Sequence, residues 1–270
     1  MVAQIFLNLI TSKPNRGLAI QQGAVPCLLA LFAACSDMGA PLAGQALAKL
    51  AITADPNIAF KGETASELVR PFVTLCNGES PLRQFEALMA LTNLASMGER
   101  LRKVIISAQG VKAMESLQFS ENLMIQRAAT EALCNMIYEP EVFLSYLSES
   151  SNGSKIQVFV ALSDSEDAAT RRAASGALAI LSSHPDACKM MLQGENGNRA
   201  LDIILGLCKD PVAAEFCHRG CEIMKNMCLA GGSVSSRIKS DTRVAEKLKE
   251  MKVHPVEIIR ATAEEGLRNI

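Results

Sequence analysis

The feature that most constrains the fold is a repeat with a period of 41 to 46 residues. We take Asn93 as the reference position of one repeat and look for its equivalents along the chain. Successive spacings of 41, 44, 42, 45, 46 and 43 residues link Asn8, Lys49, Asn93, Asn135, Ile180, Asn226 and Asn269. Small residues stand six positions earlier: Ala43, Ala87, Ala129, Ala174, Gly220 and Ala263. Self-similarity at such a period is typical of stacked helical repeats.

Residues 83–97 show the helical period inside one repeat. Steps of three and four residues bring Ala87, Ala90, Leu91 and Leu94 to one face, with Asn93 at its edge. Each repeat is expected to contain three helices, and residues 83–97 belong to a third one. The second helices are predicted at 25–34, 66–76, 111–119, 155–162, 199–208 and 244–252, each followed by Gly, Pro, Asn or Asp breakers. This length and pattern predict an all-α fold, an armadillo-repeat right-handed superhelical solenoid of about six repeats.

We predict one solenoid over residues 1–270. Its repeats are 14–53, 55–96, 98–138, 139–183, 184–230 and 234–270, preceded at 1–12 by the last helix of a truncated repeat. Solenoids need capping repeats, so this start predicts the C-terminal part of a longer chain. The irregular connections 55–63 and 231–241 are expected to be mobile loops.

Composition narrows the classes of function. The 27 basic and 28 acidic residues give a net charge of -1, so no global field attracts nucleic acid or an anionic membrane. The longest apolar run, 23–35, is shorter than the roughly 20 residues of a bilayer span, and the start lacks the basic region of a signal peptide. The 9 cysteines fit free thiols in a reducing compartment. We expect a cytoplasmic protein that binds neither nucleic acid nor a membrane.

Motifs for catalysis are absent from the sequence. It contains no phosphate-binding loop, no nucleophile elbow and no zinc-protease motif, and its 3 histidines are scattered. We therefore expect no enzyme, no cofactor and no metal. One cluster, Cys217, His218, Cys221 and Cys228, has zinc-ligand chemistry, but its place in a third helix favours buried cysteines that act as small hydrophobes.

The residues at the reference position of each repeat, which together form the reference column, suggest a binding face. Helix positions 0, −4 and −7 lie on one side, which groups Asn93 with Met89 and Glu86, Asn135 with Glu131, and Asn226 with Glu222. Because an amide both donates to and accepts from a peptide bond, a ladder of asparagines suits an extended protein segment, and the carboxylates favour basic residues in it. The alternative is that each asparagine satisfies a backbone group at a helix end. Ile180 interrupts the ladder, so the groove is expected to divide into two shorter segments.

Several stretches resemble one family of armadillo proteins. They are Ala59-Phe60 with Gly62 before Leu68-Val-Arg-Pro71, then Phe85-Glu-Ala-Leu-Met-Ala-Leu-Thr-Asn-Leu-Ala95, Gln109-Gly-Val111, Arg127-Ala-Ala129, Leu133-Cys-Asn135 and Gly176-Ala-Leu-Ala-Ile180. Over essentially its whole length the chain resembles the C-terminal UCS domain of myosin-directed chaperones. Nuclear-import receptors fit less well, because they place Trp one turn before the asparagine and this chain has no Trp.

The resemblance implies a function. Members of this family bind the myosin motor domain, assist its folding and hold partly unfolded heads without hydrolysing ATP. It also implies a heat-shock chaperone as partner, through a tetratricopeptide domain that is absent from this chain. Carried over by position, the client groove comprises Asn93, Met89, Glu86, Asn135, Glu131, Tyr138, Asn226 and Glu222. The alternative function is an armadillo adaptor that binds an extended peptide of a signalling or adhesion partner.

Overall fold

The computed structural model describes residues 2–35, 39–53, 60, 63–148, 153–193, 197–209 and 213–270. Within these ranges the regular elements are α-helices and no strand occurs, which confirms the all-α class. The chain divides into two compact units, Met1–Glu139 (unit 1) and Pro140–Ile270 (unit 2). The repeat boundaries given above stay a prediction.

In unit 1 the third helices of successive repeats pack side by side: α1 on α4, α4 on α7 and α7 on α10. The helices are α1 (Val2–Leu9), α2 (Lys13–Gln21), α3 (Ala24–Ala34), α4 (Gly39–Thr53), α5 (Thr64–Glu67), α6 (Val69–Cys76), α7 (Pro81–Ser96), α8 (Glu99–Ser107), α9 (Gly110–Leu117) and α10 (Leu123–Met136). The second helices α3, α6 and α9 each cover the third helix that follows them. This is the layering of an armadillo array.

Unit 2 repeats the arrangement, with α13 packed on α16 and α16 on α19. The helices are α11 (Pro140–Tyr146), α12 (Ser154–Leu162), α13 (Ala168–Leu181), α14 (Pro185–Met191), α15 (Gly197–Leu207), α16 (Ala214–Leu229), α17 (Gly232–Ser240), α18 (Thr242–Met251) and α19 (Glu257–Arg268). Side-chain acceptors begin several of them. Asp167 accepts a hydrogen bond from the backbone N–H of Thr170 at 2.7 Å, and Asp241 accepts one from the backbone N–H of Arg243 at 3.0 Å.

The small residues six positions before the reference position, called here the small-residue column, lie in the core. All six members, from Ala43 to Ala263, are buried. The apolar face predicted for residues 83–97 is buried too: Ala87, Ala90, Leu91 and Leu94 have no exposed surface. At about 25 cal/mol per Å² of apolar surface removed from water, burial of such faces supplies the main stabilisation of each unit.

The junction between first and second helices needs a left-handed residue. Gly23 and Gly153 adopt φ values of 79° and 73° there, and Gln109 adopts 63° in the same role. Gly110, which follows Gln109, is already the first residue of α9. A side chain is tolerated at the left-handed position at a cost of about 1–2 kcal/mol.

Most predicted second helices are observed with ends within two residues of the prediction. The exception is 66–76, where α5 and α6 are separated at Leu68. The loop predicted at 231–241 is wrong, because α17 occupies Gly232–Ser240. Val234 and Ile238 are buried on one face of α17, and the Ser235 hydroxyl donates to the Cys228 carbonyl oxygen at 2.8 Å. The loop predicted at 55–63 lies almost wholly outside the described residues.

Among the described helices, none by itself is long and apolar enough to cross a membrane. One pair passes that test of length and composition jointly, α2 with α3, and these two helices meet at a bend of 85°.

Candidate functional site on the third helices

The asparagines of unit 1 tie one repeat to the previous one. Asn93 on α7 donates from Nδ2 to the Ala51 carbonyl oxygen on α4 at 3.1 Å, and Asn135 on α10 donates to the Thr92 carbonyl oxygen on α7 at 3.2 Å. Both side chains are half-buried. Among the described residues, neither Oδ1 atom has a hydrogen-bond partner. Each amide therefore has a structural bond and an acceptor left over.

In unit 2, Asn226 makes the corresponding connection through a side chain. Its Nδ2 donates to the Ser182 hydroxyl at 2.9 Å, just after the end of α13. A longer bond of 3.5 Å reaches the Glu222 carboxylate one turn earlier on α16. The asparagines of unit 1 thus bind backbone carbonyl groups of the preceding repeat, as the structural alternative expected, whereas Asn226 in unit 2 binds a side-chain hydroxyl.

Glu86 is part of a polar cluster between α4 and α7. It is 7% exposed, and its carboxylate accepts from Lys49 Nζ at 2.6 Å and from Gln45 Nε2 at 2.9 Å. Arg83 completes the cluster by donating to Gln45 Oε1 at 3.3 Å. Lys49 occupies the reference column one repeat before Asn93, and its ion pair with Glu86 joins α4 to α7 in addition to the Asn93 bridge.

The other two carboxylates of the predicted site have basic neighbours on their own helices. Glu131 lies 3.4 Å from Arg127 Nε, and Glu222 lies 2.8 Å from Lys225 Nζ. All three predicted carboxylates are therefore charge-paired within the chain. The expectation that these carboxylates select basic residues in a bound segment therefore has little electrostatic support. The positive charge of the partner cancels most of the field of each carboxylate.

Tyr138 is the most accessible member of the predicted site. It follows the end of α10 and is 62% exposed, whereas Met89 on α7 is half-buried. An exposed tyrosine offers a large flat surface and a hydroxyl at low conformational cost, as binding surfaces commonly do. With Asn93 and Asn135, these residues belong to unit 1, and Asn226 and Glu222 belong to unit 2.

Sequence reasoning missed Gln45, Lys49 and Arg83 as partners of Glu86. The signal was present in the alignment of repeats. A lysine in the reference column of one repeat stands opposite a glutamate seven positions before that column in the next. Reading each helix separately could not show that two charged positions on neighbouring repeats meet.

The cysteine cluster lies in the core of unit 2. Cys217, Cys221 and Cys228 are buried, and the Cys208 thiol lies beside them, 3.6 Å from the Cys217 carbonyl oxygen. Burial raises the pKa of the Cys228 thiol to about 11. In the described ranges, no group of three or more His, Cys, Asp or Glu side chains is arranged to hold a metal ion.

Comparison with known proteins gives relatives of one kind. No family model matches the chain. Human UNC-45 homolog B is 32% identical over 241 residues, which make up 88% of this chain and 25% of the relative. UNC-45 from Drosophila melanogaster superimposes with a TM-score of 0.90 at 30% identity, over 99% of this chain and 34% of that one. The chain is therefore a UCS-domain region.

Two further solved structures complete the comparison. An UNC-45 chaperone, studied for the features critical for binding and folding muscle myosin, gives a TM-score of 0.88 at 25% identity, covering 99% of this chain and 30% of that one. A designed armadillo-repeat protein gives 0.71 at 14% identity, over 91% and 99% of the two chains, a likeness of fold alone. The UCS region described here spans about a quarter of the length of the curated relatives it matches.

Proposed function

We propose that this UCS region is the client-binding part of a myosin-directed chaperone and assists folding of the myosin motor domain without catalysis. The observation that carries the proposal is its kinship with UNC-45 over 99% of its length, because one such relative is a chaperone studied for binding and folding muscle myosin. A heat-shock chaperone is a second partner in this proposal, through the tetratricopeptide domain that the family resemblance implies.

The client would lie along the third helices of unit 1. There the free Oδ1 atoms of Asn93 and Asn135 accept from peptide N–H groups of an extended segment, and Tyr138 and Met89 pack against its apolar side chains. Each hydrogen bond adds only about 1 kcal/mol net, so affinity accumulates along the segment. Glu86 supports this face from beneath, and Glu131 borders it. Asn226 and Glu222 provide a second, shorter face in unit 2.

Heating a purified myosin motor domain with and without the UCS region tests the proposal. We expect light scattering from aggregated motor domain to fall in its presence, and a complex to be recovered by size-exclusion chromatography. An unrelated armadillo protein at the same concentration controls for crowding. Unchanged aggregation with no complex would remove the chaperone function and leave an adaptor for a signalling or adhesion peptide as the alternative.

A further inference from the structure

A cleft in unit 2 lies apart from the reference column. It has a volume of about 440 Å³, within the roughly 300–1,000 Å³ of typical ligand clefts. Its walls are the turn after α12, one side of α15, and Ala213 just before α16. None of the residues proposed to bind the client lines it.

One side of α15 forms the long wall of the cleft. Arg199, Ile203 and Gly206 follow one another at steps of four and three residues, so they share a helix face, and Lys209 continues the line just past the helix end. Gly206 is unusual, because a Cβ atom there would meet nothing closer than Lys209 Cε at 3.9 Å. Glycine inside a helix costs about 1 kcal/mol relative to alanine. Packing does not require this glycine, and its missing side chain keeps the cleft open.

The floor of the cleft is apolar and carries one oriented cation. Ile203, Leu207 and Phe216 form this buried surface. The Arg171 guanidinium lies over the Phe216 ring at 4.8 Å from its centroid, and its Nη1 donates to the Ser165 carbonyl oxygen at 3.1 Å. These two contacts hold the Arg171 guanidinium against the floor of the cleft before any ligand arrives, which lowers the entropic cost of packing a ligand beside it.

Around the cleft, two cations have no ion pair with the part of the chain that the structure describes. Asp202 is engaged by Arg243 at 2.6 Å, and Arg243 is shared with Asp241 at 2.7 Å. Arg199 and Lys209 are exposed and have no ion pair with any described residue. The remaining carboxylate, Asp164, is exposed at the opposite wall. It would repel a dianion such as phosphate, but it can accept a hydrogen bond from a peptide N–H.

We propose that this cleft binds an acidic peptide segment in which a carboxylate side chain neighbours an apolar one. The carboxylate pairs with Arg199 and Lys209, the apolar side chain packs on Ile203 and Phe216 beside Arg171, and a backbone N–H of the segment donates to Asp164. Guanidinium–carboxylate pairs supply directed, charge-assisted bonds, and the apolar floor supplies desolvation. This second binding surface shares no residue with the proposed client face.

Fluorescence anisotropy with a short labelled peptide of alternating glutamate and leucine tests the proposal on the whole chain. We expect saturable binding, and a loss of affinity of about tenfold or more in the double variant Arg199→Gln, Lys209→Gln, equivalent to about 1.4 kcal/mol. The matched control Lys189→Gln, Lys249→Gln removes the same charge from exposed lysines of unit 2 outside the cleft. It should change affinity by less than about twofold, because exposed charges at a distance are screened.

A steric variant separates the cleft from general electrostatic attraction. Gly206→Leu keeps every charge and improves helix propensity, but it fills the opening, so it should abolish peptide binding while helicity is retained. Equal weakening by the control pair, equal binding of a peptide with glutamine in place of glutamate, or unchanged binding by Gly206→Leu would each overturn the proposal. Displacement of the peptide by inorganic phosphate at low millimolar concentration would overturn the peptide assignment in favour of a phosphate site.

Discussion

At the scale of single residues, Gly220 occupies a column that holds alanine in most other repeats. A Cβ atom at Gly220 would lie 2.6 Å from Cys208 Sγ and 3.2 Å from the Ile204 carbonyl oxygen. Cys208 therefore fills the space that a methyl group takes elsewhere. We expect Gly220→Ala to lower the free energy of unfolding by about 1–3 kcal/mol, since overpacking outweighs the gain in helix propensity.

Urea denaturation followed by circular dichroism measures this loss. Gly206→Ala is the matched control, because space is open there, and it should raise stability by about 0.5–1 kcal/mol. Adding Cys208→Ala to Gly220→Ala should recover part of the loss by removing the clashing sulfur atom. Equal effects of the two glycine substitutions would show that the column does not depend on close packing at this point.

The cysteines give a second prediction at this scale. Cys27 and Cys35 are exposed, whereas Cys76 and Cys188 are buried, and burial raises the pKa of each of these two thiols to about 12. Since the thiolate is the reactive form, a thiol with so high a pKa stays protonated and unreactive near pH 8. Iodoacetamide labelling followed by peptide mass spectrometry should modify Cys27 and Cys35 first. Rapid native labelling of Cys76 or Cys188 would contradict their burial.

At the scale of helices, the Glu86 cluster joins α4 to α7. Glu86→Ala would leave Gln45 Nε2, in an 8% exposed side chain, without its acceptor, and would also leave Lys49 unpaired. We expect unfolding free energy to fall by about 2–3 kcal/mol. Glu131→Ala removes only a partly exposed pair at 3.4 Å on a single helix and should cost about 0.5 kcal/mol or less. Similar small losses in both variants would show that Glu86 is free to bind a ligand.

The sequence predicts the features that depend on the spacing of apolar residues along one helix. It does not predict the features that depend on contacts between repeats. The third helices and the small column were predictable, because burial follows the three-and-four-residue spacing directly. Helix α17 was missed, since glycine and serine dominate its composition and Val234 and Ile238 are its only apolar residues. The burial of Glu86 was missed because it depends on Lys49, a residue 37 positions away that only the fold brings near.

At the scale of the whole molecule, Asn93 and Asn135 each have a structural role and a proposed binding role. Reasoning from single helices treated these two roles as alternatives. Nδ2 of Asn93 and of Asn135 binds the preceding repeat, while Oδ1 remains available. Replacing both asparagines by alanine would therefore lose stability as well as client binding, at about 1 kcal/mol for each bond. A test of the binding face needs a residue that supports no part of the fold.

Tyr138, which is 62% exposed, meets that need. Phe119 is the matched control, because it is an aromatic residue of the same unit, is 70% exposed and lies outside the proposed face. The most direct measurement is the dissociation constant of the myosin motor domain for the wild-type UCS region, Tyr138→Ala and Phe119→Ala, with melting temperatures recorded for all three. We predict unchanged melting, a loss of affinity of about tenfold or more for Tyr138→Ala and less than about twofold for Phe119→Ala. Wild-type affinity in Tyr138→Ala, or an equal loss in Phe119→Ala, would contradict client binding on this face.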